Sequence, residues 1–130
     1  MNDININKYI RFLFTGLLNV IIYMILIISF EILTNNRFIS LVIGQAIISI
    51  FAFFSFSKLS FNVIGNLKMY IRFIISNIFL LLISSFIAFS VKILGIGLDH
   101  YQFAIFNVII ITPISFLLNN NFVFIGKKND

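Results

Sequence analysis

The chain has 130 residues, of which 61% are hydrophobic and only 10% are charged, and its formal net charge is +5 at pH 7. Charged and polar side chains are too few to cover the surface of a water-soluble globule of this length. The composition therefore predicts an integral membrane protein and excludes a soluble catalytic domain. Disulfides and thiolate metal sites are excluded as well, because the sequence has no cysteine.

Four apolar segments follow one another along the chain, each near the roughly 20 residues that a helix needs to span the hydrocarbon core. Their predicted spans are residues 12–33, 38–56, 73–94 and 101–125. The segments are apolar nearly all round, unlike the helices of a soluble bundle, and they do not alternate in polarity as transmembrane strands would. We therefore expect an all-α fold of four transmembrane helices, forming a single membrane domain over residues 1–130.

A tetrapeptide marks the start of two of these segments. Tyr-Ile-Arg-Phe occurs at residues 9–12 and again at residues 70–73, each time leading into an apolar run. At a membrane entry point the tyrosine can anchor at the headgroups and the arginine can snorkel to lipid phosphate. The doubled tetrapeptide indicates an internal repeat.

The second halves of the repeat also correspond. The two tetrapeptides lie 61 residues apart, whereas the second halves align at an offset of 63 residues, with Phe61 set against Phe124. We therefore expect two parallel two-helix repeats, at about residues 8–61 and 69–124, related by an axis along the membrane normal.

The basic residues indicate the orientation of the chain and its partner. The amino terminus, the middle loop and the carboxyl terminus carry seven of the nine basic residues: Lys8, Arg11, Lys58, Lys68, Arg72, Lys127 and Lys128. The two outer loops carry the other two, Arg37 and Lys92. Because basic residues accumulate on the cytoplasmic side, we expect both termini in the cytoplasm. These charges form no continuous stripe, so anionic lipid is the expected partner and nucleic acid is not.

Short motifs near both ends of the chain resemble those of a known family. The first is Arg-Phe-x-x-x-Gly-x-x-Asn, formed by Arg11, Phe12, Gly16 and Asn19, and the second is Ser-Phe-Leu-Leu-Asn at 115–119 with Phe-Val-Phe at 122–124. Together with four spans, these motifs resemble the GtrA-like family. Its members are small four-span proteins implicated in moving polyprenyl-phosphate-linked monosaccharides across the bacterial membrane, for O-antigen, teichoic acid or other cell-wall glycosylation.

The resemblance implies a flippase for a polyprenyl-phosphate-linked sugar in the cytoplasmic membrane, with a membrane glycosyltransferase as partner and no cofactor. The chain departs from the family pattern in two places. The family usually has an arginine after the asparagine of the closing motif, Asn119, where this chain has Asn120 and Asn121. In the first repeat, the asparagine position holds Phe56. The three asparagines of the closing motif are counted among the candidate site residues.

Such a lipid has an anionic head and a polyprenyl tail that can stay in the bilayer, so its passage needs a polar groove open to lipid. A charge at the bilayer centre costs roughly 2.5 to 3.5 kcal/mol, which favours neutral hydrogen-bonding groups inside the groove and cations at its mouth. The expected phosphate-binding rim on the cytoplasmic side is Arg11, Lys58 and Arg72. The expected polar seam within the membrane is Asn19, Gln45, Asn77 and Asn107.

Each of these residues also has a purely structural interpretation. Asparagine and glutamine can simply bond neighbouring helices, and basic residues collect on the cytoplasmic side of any membrane protein. Gln45 and Asn107 stand 62 residues apart, at nearly equivalent places in the second and fourth segments. Their equivalence favours a quasi-symmetric polar site.

Two other functions remain open. A proton-coupled multidrug exporter can also have four spans, but it relies on an acid deep in the first span, which here has none before Glu31. A non-transporting protein could instead anchor or organise a membrane glycosyltransferase. No nucleophile, carboxylate pair or metal-spaced cluster supports catalysis, so we expect neither an enzyme nor a bound metal. Because one four-helix bundle is small for enclosing a sugar phosphate, we expect a homo-oligomer.

Overall fold

A computed structural model describes residues 6–125, except for the side chains of Arg37, Phe38, His100 and Tyr101. It contains four α-helices: α1 (Ile6–Thr34), α2 (Arg37–Ser55), α3 (Leu67–Ile93) and α4 (His100–Leu118). No strand occurs within residues 6–125. Both chain termini, which we expect in the cytoplasm, lie outside the described residues.

All four helices are long and apolar enough to cross a membrane. Large apolar side chains lie on their surfaces, such as Phe14, Ile32 and Phe86, which are 71%, 77% and 70% exposed. Apolar surface of this extent would not be stable against water, whereas lipid covers it when the helices span a bilayer. The expectation of an all-helical, multi-pass membrane protein is confirmed.

Two helices begin earlier than hydropathy predicts. The first begins at Ile6 rather than at residue 12, and α3 begins at Leu67 rather than at residue 73. An apolar run marks only the part of a helix that suits the hydrocarbon core, whereas helical hydrogen bonds can continue through the polar headgroup layer. Both copies of Tyr-Ile-Arg-Phe therefore lie inside a helix, and the break predicted between the spans 38–56 and 73–94 shrinks to residues 61–66.

The second and fourth helices both end in a π-helical segment that hydropathy does not predict. The first closing segment is Phe56–Ser60, after α2, and the second closing segment is Asn119–Val123, after α4. In each one the carbonyl of the first residue accepts a hydrogen bond from the N–H five residues later, that of Phe61 at 3.0 Å and that of Phe124 at 2.9 Å. This wider hydrogen-bond pattern often occurs at functional sites.

Local sequence explains the tight turn between α1 and α2. Asn35 adopts a left-handed conformation, with φ of 52°, and its N–H donates to the carbonyl of Glu31 at 2.9 Å. Asparagine tolerates this conformation better than most residues, so it can end the helix without glycine. The side chain of Asn36 then accepts a hydrogen bond from the N–H of Ile39 at 3.2 Å and caps α2.

Local sequence also explains the turn between α3 and α4, which has a glycine at the end of α3 and a capping box at the start of α4. Gly95 has φ of 65°, and the N–H groups of Gly95 and Ile96 each donate to the last turn of α3 at 3.3 Å. This arrangement is the Schellman motif, in which glycine satisfies the open carbonyls of the helix end. Asp99 and Gln102 form a reciprocal capping box that starts α4.

The chain divides into two compact units. The first unit ends at Asn66 and contains α1, α2 and the first closing segment, whereas the second unit runs from Leu67 to Ile125 and contains α3, α4 and the second closing segment. Each of the predicted repeats, at about 8–61 and 69–124, lies within one unit.

The two units bury matching positions. In the first helix of each unit three buried positions recur at an offset of 61: Phe12, Thr15 and Asn19 in α1, and Phe73, Ser76 and Leu80 in α3. At the end of each unit four buried positions recur at an offset of 63: Phe53, Ser57, Ser60 and Phe61, and then Phe116, Asn120, Val123 and Phe124. These are the two offsets at which the sequences of the halves align.

The loop after the first closing segment folds back onto its own unit. The N–H of Val63 donates to the carbonyl of Ser57 at 2.8 Å, and Val63 is only 5% exposed. This path brings Gly65 close to the ring of Phe53, so that a Cβ atom at Gly65 would lie 2.8 Å from Cε1 of that ring. Since Phe53 is 2% exposed, its ring has little room to move.

Replacing Gly65 with alanine is therefore expected to destabilise the protein by about 1–3 kcal/mol, because the added methyl group overpacks the Phe53 ring. Gly97→Ala is the matched control, since a Cβ atom there would meet nothing within 4 Å. The free energy of unfolding of both variants can be measured by denaturant titration in mild detergent. Equal stability of the two variants would contradict the close packing of Gly65 on Phe53.

Candidate functional site

Two residues of the predicted rim lie at the same end of the first unit. The carbonyl of Arg11 accepts hydrogen bonds from Thr15 Oγ1 at 2.8 Å and from Ser60 Oγ at 3.4 Å. Lys58 precedes Ser60 by two residues in the first closing segment, so it also lies near this end of α1. The side chains of Arg11 and Lys58 are both exposed.

A third cation of the first unit packs on an aromatic ring at this end. The Nζ atom of Lys8 lies 4.8 Å from the centroid of the Phe61 ring, which is an attractive cation–π distance. Phe61 in turn packs edge-on against Phe12, with their ring centroids 6.1 Å apart. This end of the first unit therefore combines positive charge with a small aromatic cluster.

The third predicted rim residue, Arg72, has different surroundings. Its side chain is half-buried, and its Nη1 atom donates to the carbonyl of Phe122 at 3.4 Å. The centre of its guanidinium group lies 5.7 Å from the centroid of the Phe122 ring. Arg72 therefore contacts the second closing segment of its own unit.

Buried hydroxyl groups lie beneath the rim in the first unit. Ser60 Oγ donates to Thr15 Oγ1 at 2.9 Å, and Ser55 Oγ donates to Asn19 Oδ1 at 2.9 Å. These two bonds join α1 to the end of the second helix and to the first closing segment. They form a ladder of neutral polar groups that starts at Arg11 and reaches about two helical turns further along α1.

Asn19 has one polar atom that this ladder does not satisfy. The residue is 7% exposed, and its Nδ2 atom has no hydrogen-bond partner among residues 6–125. A buried amide donor without a partner costs about 1–3 kcal/mol. Asn19, which the sequence analysis placed in the polar seam, therefore offers a donor inside the first unit.

The second unit also holds buried polar atoms without partners. Ser76 and Asn119 are both 2% exposed, and Ser76 Oγ and Asn119 Oδ1 lack a hydrogen bond within the described part of the chain. The amide nitrogen of Asn119 is satisfied by the carbonyl of Ser115 at 2.8 Å. Asn120 is fully buried and its Nδ2 atom donates to Oδ1 of the exposed Asn121 at 3.1 Å.

The other predicted seam residues differ in exposure. Gln45 of the first unit and Asn77 of the second are exposed. Asn107 is half-buried, and its Nδ2 atom donates to Ser84 Oγ at 2.8 Å, so it bonds α4 to α3. Gln45 and Asn107, which were predicted to be equivalent, therefore have different environments. The amides that lie inside their units are Asn19, Asn107, Asn119 and Asn120.

The buried hydroxyl groups were missed by the sequence analysis, which weighed only amides and charges. The offset of 61 residues could have indicated two of them, because it relates Thr15 to Ser76. The offset of 63 likewise relates Ser57 to Asn120. These polar residues recur inside apolar runs at the spacing of the internal repeat. That recurrence could have indicated buried polar positions.

Within the described residues there is no group of three or more His, Cys, Asp or Glu that could hold a metal ion. No protein-family model, curated protein or solved structure matches the chain. The resemblance to the GtrA-like family therefore stays a prediction that rests on the motifs.

Thr15 and Ser76 provide a matched test of the buried hydroxyl groups. Thr15→Val removes the group that Ser60 bonds and is expected to cost about 0.6–2 kcal/mol, the range of such bonds in membranes. Ser76→Ala removes a buried hydroxyl that has no partner in the described chain, so it should leave the stability unchanged or raise it by up to about 1–3 kcal/mol. Unfolding titrations in bicelles measure both, and an equal loss would contradict a stabilising bond between Thr15 and Ser60.

Proposed function

We propose that the protein is a multi-pass translocase that moves a polyprenyl-phosphate-linked monosaccharide across the cytoplasmic membrane, without catalysing a reaction. The observation that carries this proposal is the position of Arg11 and Lys58. They are exposed cations at one end of a membrane unit whose interior contains neutral hydrogen-bonding groups. A cationic entrance above a neutral polar interior suits a lipid with a phosphorylated head.

We further infer that the two units are parallel copies of one two-helix hairpin, with both termini in the cytoplasm. The matching buried positions and the paired closing segments support this inference. In this arrangement, both tetrapeptides lie on the cytoplasmic side of the membrane. The orientation rests on the distribution of lysine and arginine along the chain.

We expect different residues to bind the charged phosphate and to contact the sugar as it crosses the membrane. Arg11 and Lys58 would attract the phosphate at the membrane surface, because charge-assisted hydrogen bonds to phosphate are strong. Sugar hydroxyl groups need neutral partners within the hydrocarbon, where a further charge would be costly. The amide of Asn19 and the buried asparagines of the second closing segment, Asn119 and Asn120, are the candidates for these contacts.

A lipid-linked sugar must be made on one side of the membrane and used on the other, so a membrane glycosyltransferase is the partner that this function requires. We also propose a homo-oligomer, since the exposed apolar helices can accept a second copy. No observation favours the exporter, because the acid within the described part of α1 is Glu31, close to the end of that helix. Anchoring a glycosyltransferase remains the alternative that the test below must separate from transport.

The proposal predicts that neutralising Arg11 and Lys58 slows transport. Arg11→Gln and Lys58→Gln are combined in one variant, which is purified and placed in vesicles with a polyprenyl-phosphate hexose. Membrane-impermeant periodate then reports how fast the sugar reaches the outer leaflet, and we expect at least a tenfold decrease, since one charge-assisted contact contributes about 1.5–3 kcal/mol. Lys68→Gln, which removes another exposed lysine, is the control.

Two results would contradict the proposal. If the unmodified protein alone moves no lipid, whereas a glycosyltransferase needs it for activity, the anchoring function is favoured instead. If this double variant transports as fast as Lys68→Gln, Arg11 and Lys58 have no role in transport.

A further inference from the structure

We propose that the two tetrapeptide arginines have different roles: Arg11 with Lys58 binds the phosphate of a prenyl-linked lipid, whereas Arg72 holds the second closing segment in place. The proposal rests on the proposed function, because it assigns the phosphate site of that function to one unit. Both arginines lie in the same sequence, Tyr-Ile-Arg-Phe, near the start of an equivalent helix. The difference between them arises in the closing segments.

The residue that Arg72 contacts has no equivalent in the first unit. Phe122 presents both a carbonyl and an aromatic ring to Arg72. At the offset of 63 residues, the first closing segment has Leu59 in that place. A leucine side chain has no π face to attract a guanidinium group. Arg11 accordingly has no side-chain hydrogen bond or ring contact within residues 6–125, and its side chain is exposed.

A second substitution adds charge to the first unit. Lys58 occupies the position that Asn121 occupies in the second closing segment. Because Lys58 and Arg11 lie at the same end of their unit and repel each other, neither can neutralise the other. Asn121 carries no charge, so it leaves Arg72 free to lie against the second closing segment.

The described part of the first unit offers these two cations no nearby carboxylate. Its acid is Glu31, which follows Arg11 by 20 residues in the same helix. Twenty residues of α-helix correspond to about 30 Å, so this acid lies at the opposite end of α1. No carboxylate within residues 6–125 therefore neutralises these two cations. A phosphate at the membrane surface can accept two hydrogen bonds from the guanidinium fork and one from the ammonium group.

Arg72 contributes to the structure of the second unit instead. The residue after it, Phe73, lies against Phe124, with their ring centroids 6.5 Å apart. Arg72 and Phe73 thus contact the second closing segment and the residue that follows it from the same turn of α3. A π-helical segment lacks the regular bonding of an α-helix, and contacts from a neighbouring helix hold it in one conformation.

Single substitutions separate the two roles. Each variant is purified in phosphatidylcholine nanodiscs and titrated with farnesyl phosphate, and farnesol is the control ligand that lacks the phosphate. We expect Arg11→Gln and Lys58→Gln each to weaken farnesyl phosphate binding by about tenfold or more, without changing Tm. Arg72→Gln should lower Tm by several degrees and leave the affinity of the folded protein within about twofold.

Phe122→Leu provides the matched structural variant, because it gives the second closing segment the side chain found in the first. It should lower Tm in the same direction as Arg72→Gln, and combining the two should add little, since both remove one contact. Equal loss of farnesyl phosphate binding in Arg11→Gln and Arg72→Gln would overturn the division of roles. So would a lower Tm in Arg11→Gln with unchanged binding.

The ligand class is tested by competition. Phosphatidylglycerol presents an ordinary anionic headgroup, and it should compete poorly with farnesyl phosphate for the site. Equal competition would identify a general site for anionic lipids and overturn the assignment to prenyl phosphates. These results are independent of transport: Arg11-dependent binding in a protein that moves no lipid would remove the translocase function alone, whereas transport without dependence on Arg11 would remove this inference alone.

Discussion

The packing of each closing segment against the first helix of its own unit is the interaction on which the rest of the structure depends. The ring of Phe12 stacks on that of Phe56 with a centroid distance of 4.8 Å. The ring centroids of Phe73 and Phe124, the residue after the second closing segment, lie 6.5 Å apart. Aromatic pairs of this kind contribute about 0.5–1.5 kcal/mol beyond the area that they bury. Where they form, Ser60 meets the carbonyl of Arg11. The rim residues are therefore positioned by the contacts that close each hairpin.

The hydrocarbon environment gives the polar groups beside these contacts their importance. In a bilayer no water reaches the interior, so a polar side chain must find a partner within the protein or remain unsatisfied. Thr15 bonds Ser60, and one oxygen of Asn19 bonds Ser55, but the Asn19 amide nitrogen and the Asn119 amide oxygen have no partner in residues 6–125. Unsatisfied buried groups are uncommon in folded proteins and call for an explanation. Under the proposed function, they are the groups that a sugar can satisfy as it passes.

The sequence predicted the part of the fold that depends on hydropathy. Four apolar runs mark the four helices, and the polar breaks between helices contain Asn35, Asn36, Gly95 and Asp99, whose backbone preferences form the turns. The closing segments escaped prediction because hydropathy does not distinguish π-helical from α-helical hydrogen bonding. The exposure of Gln45 and Asn77 was not predicted for a related reason. A helix that is apolar all round does not reveal which side faces its neighbour.

The two units also explain why identical tetrapeptides need not have identical roles. An arginine side chain is long, so its position depends on the residues that pack beside it as much as on its own helix. Lys58 and Leu59 lie in the first closing segment where Asn121 and Phe122 lie in the second. Arg11 is exposed beside Lys58 and Leu59, whereas Arg72 lies over the ring of Phe122. If the two units are copies of one hairpin, as proposed, divergence of the closing segments can assign binding to one copy and stability to the other while the shared motif stays unchanged.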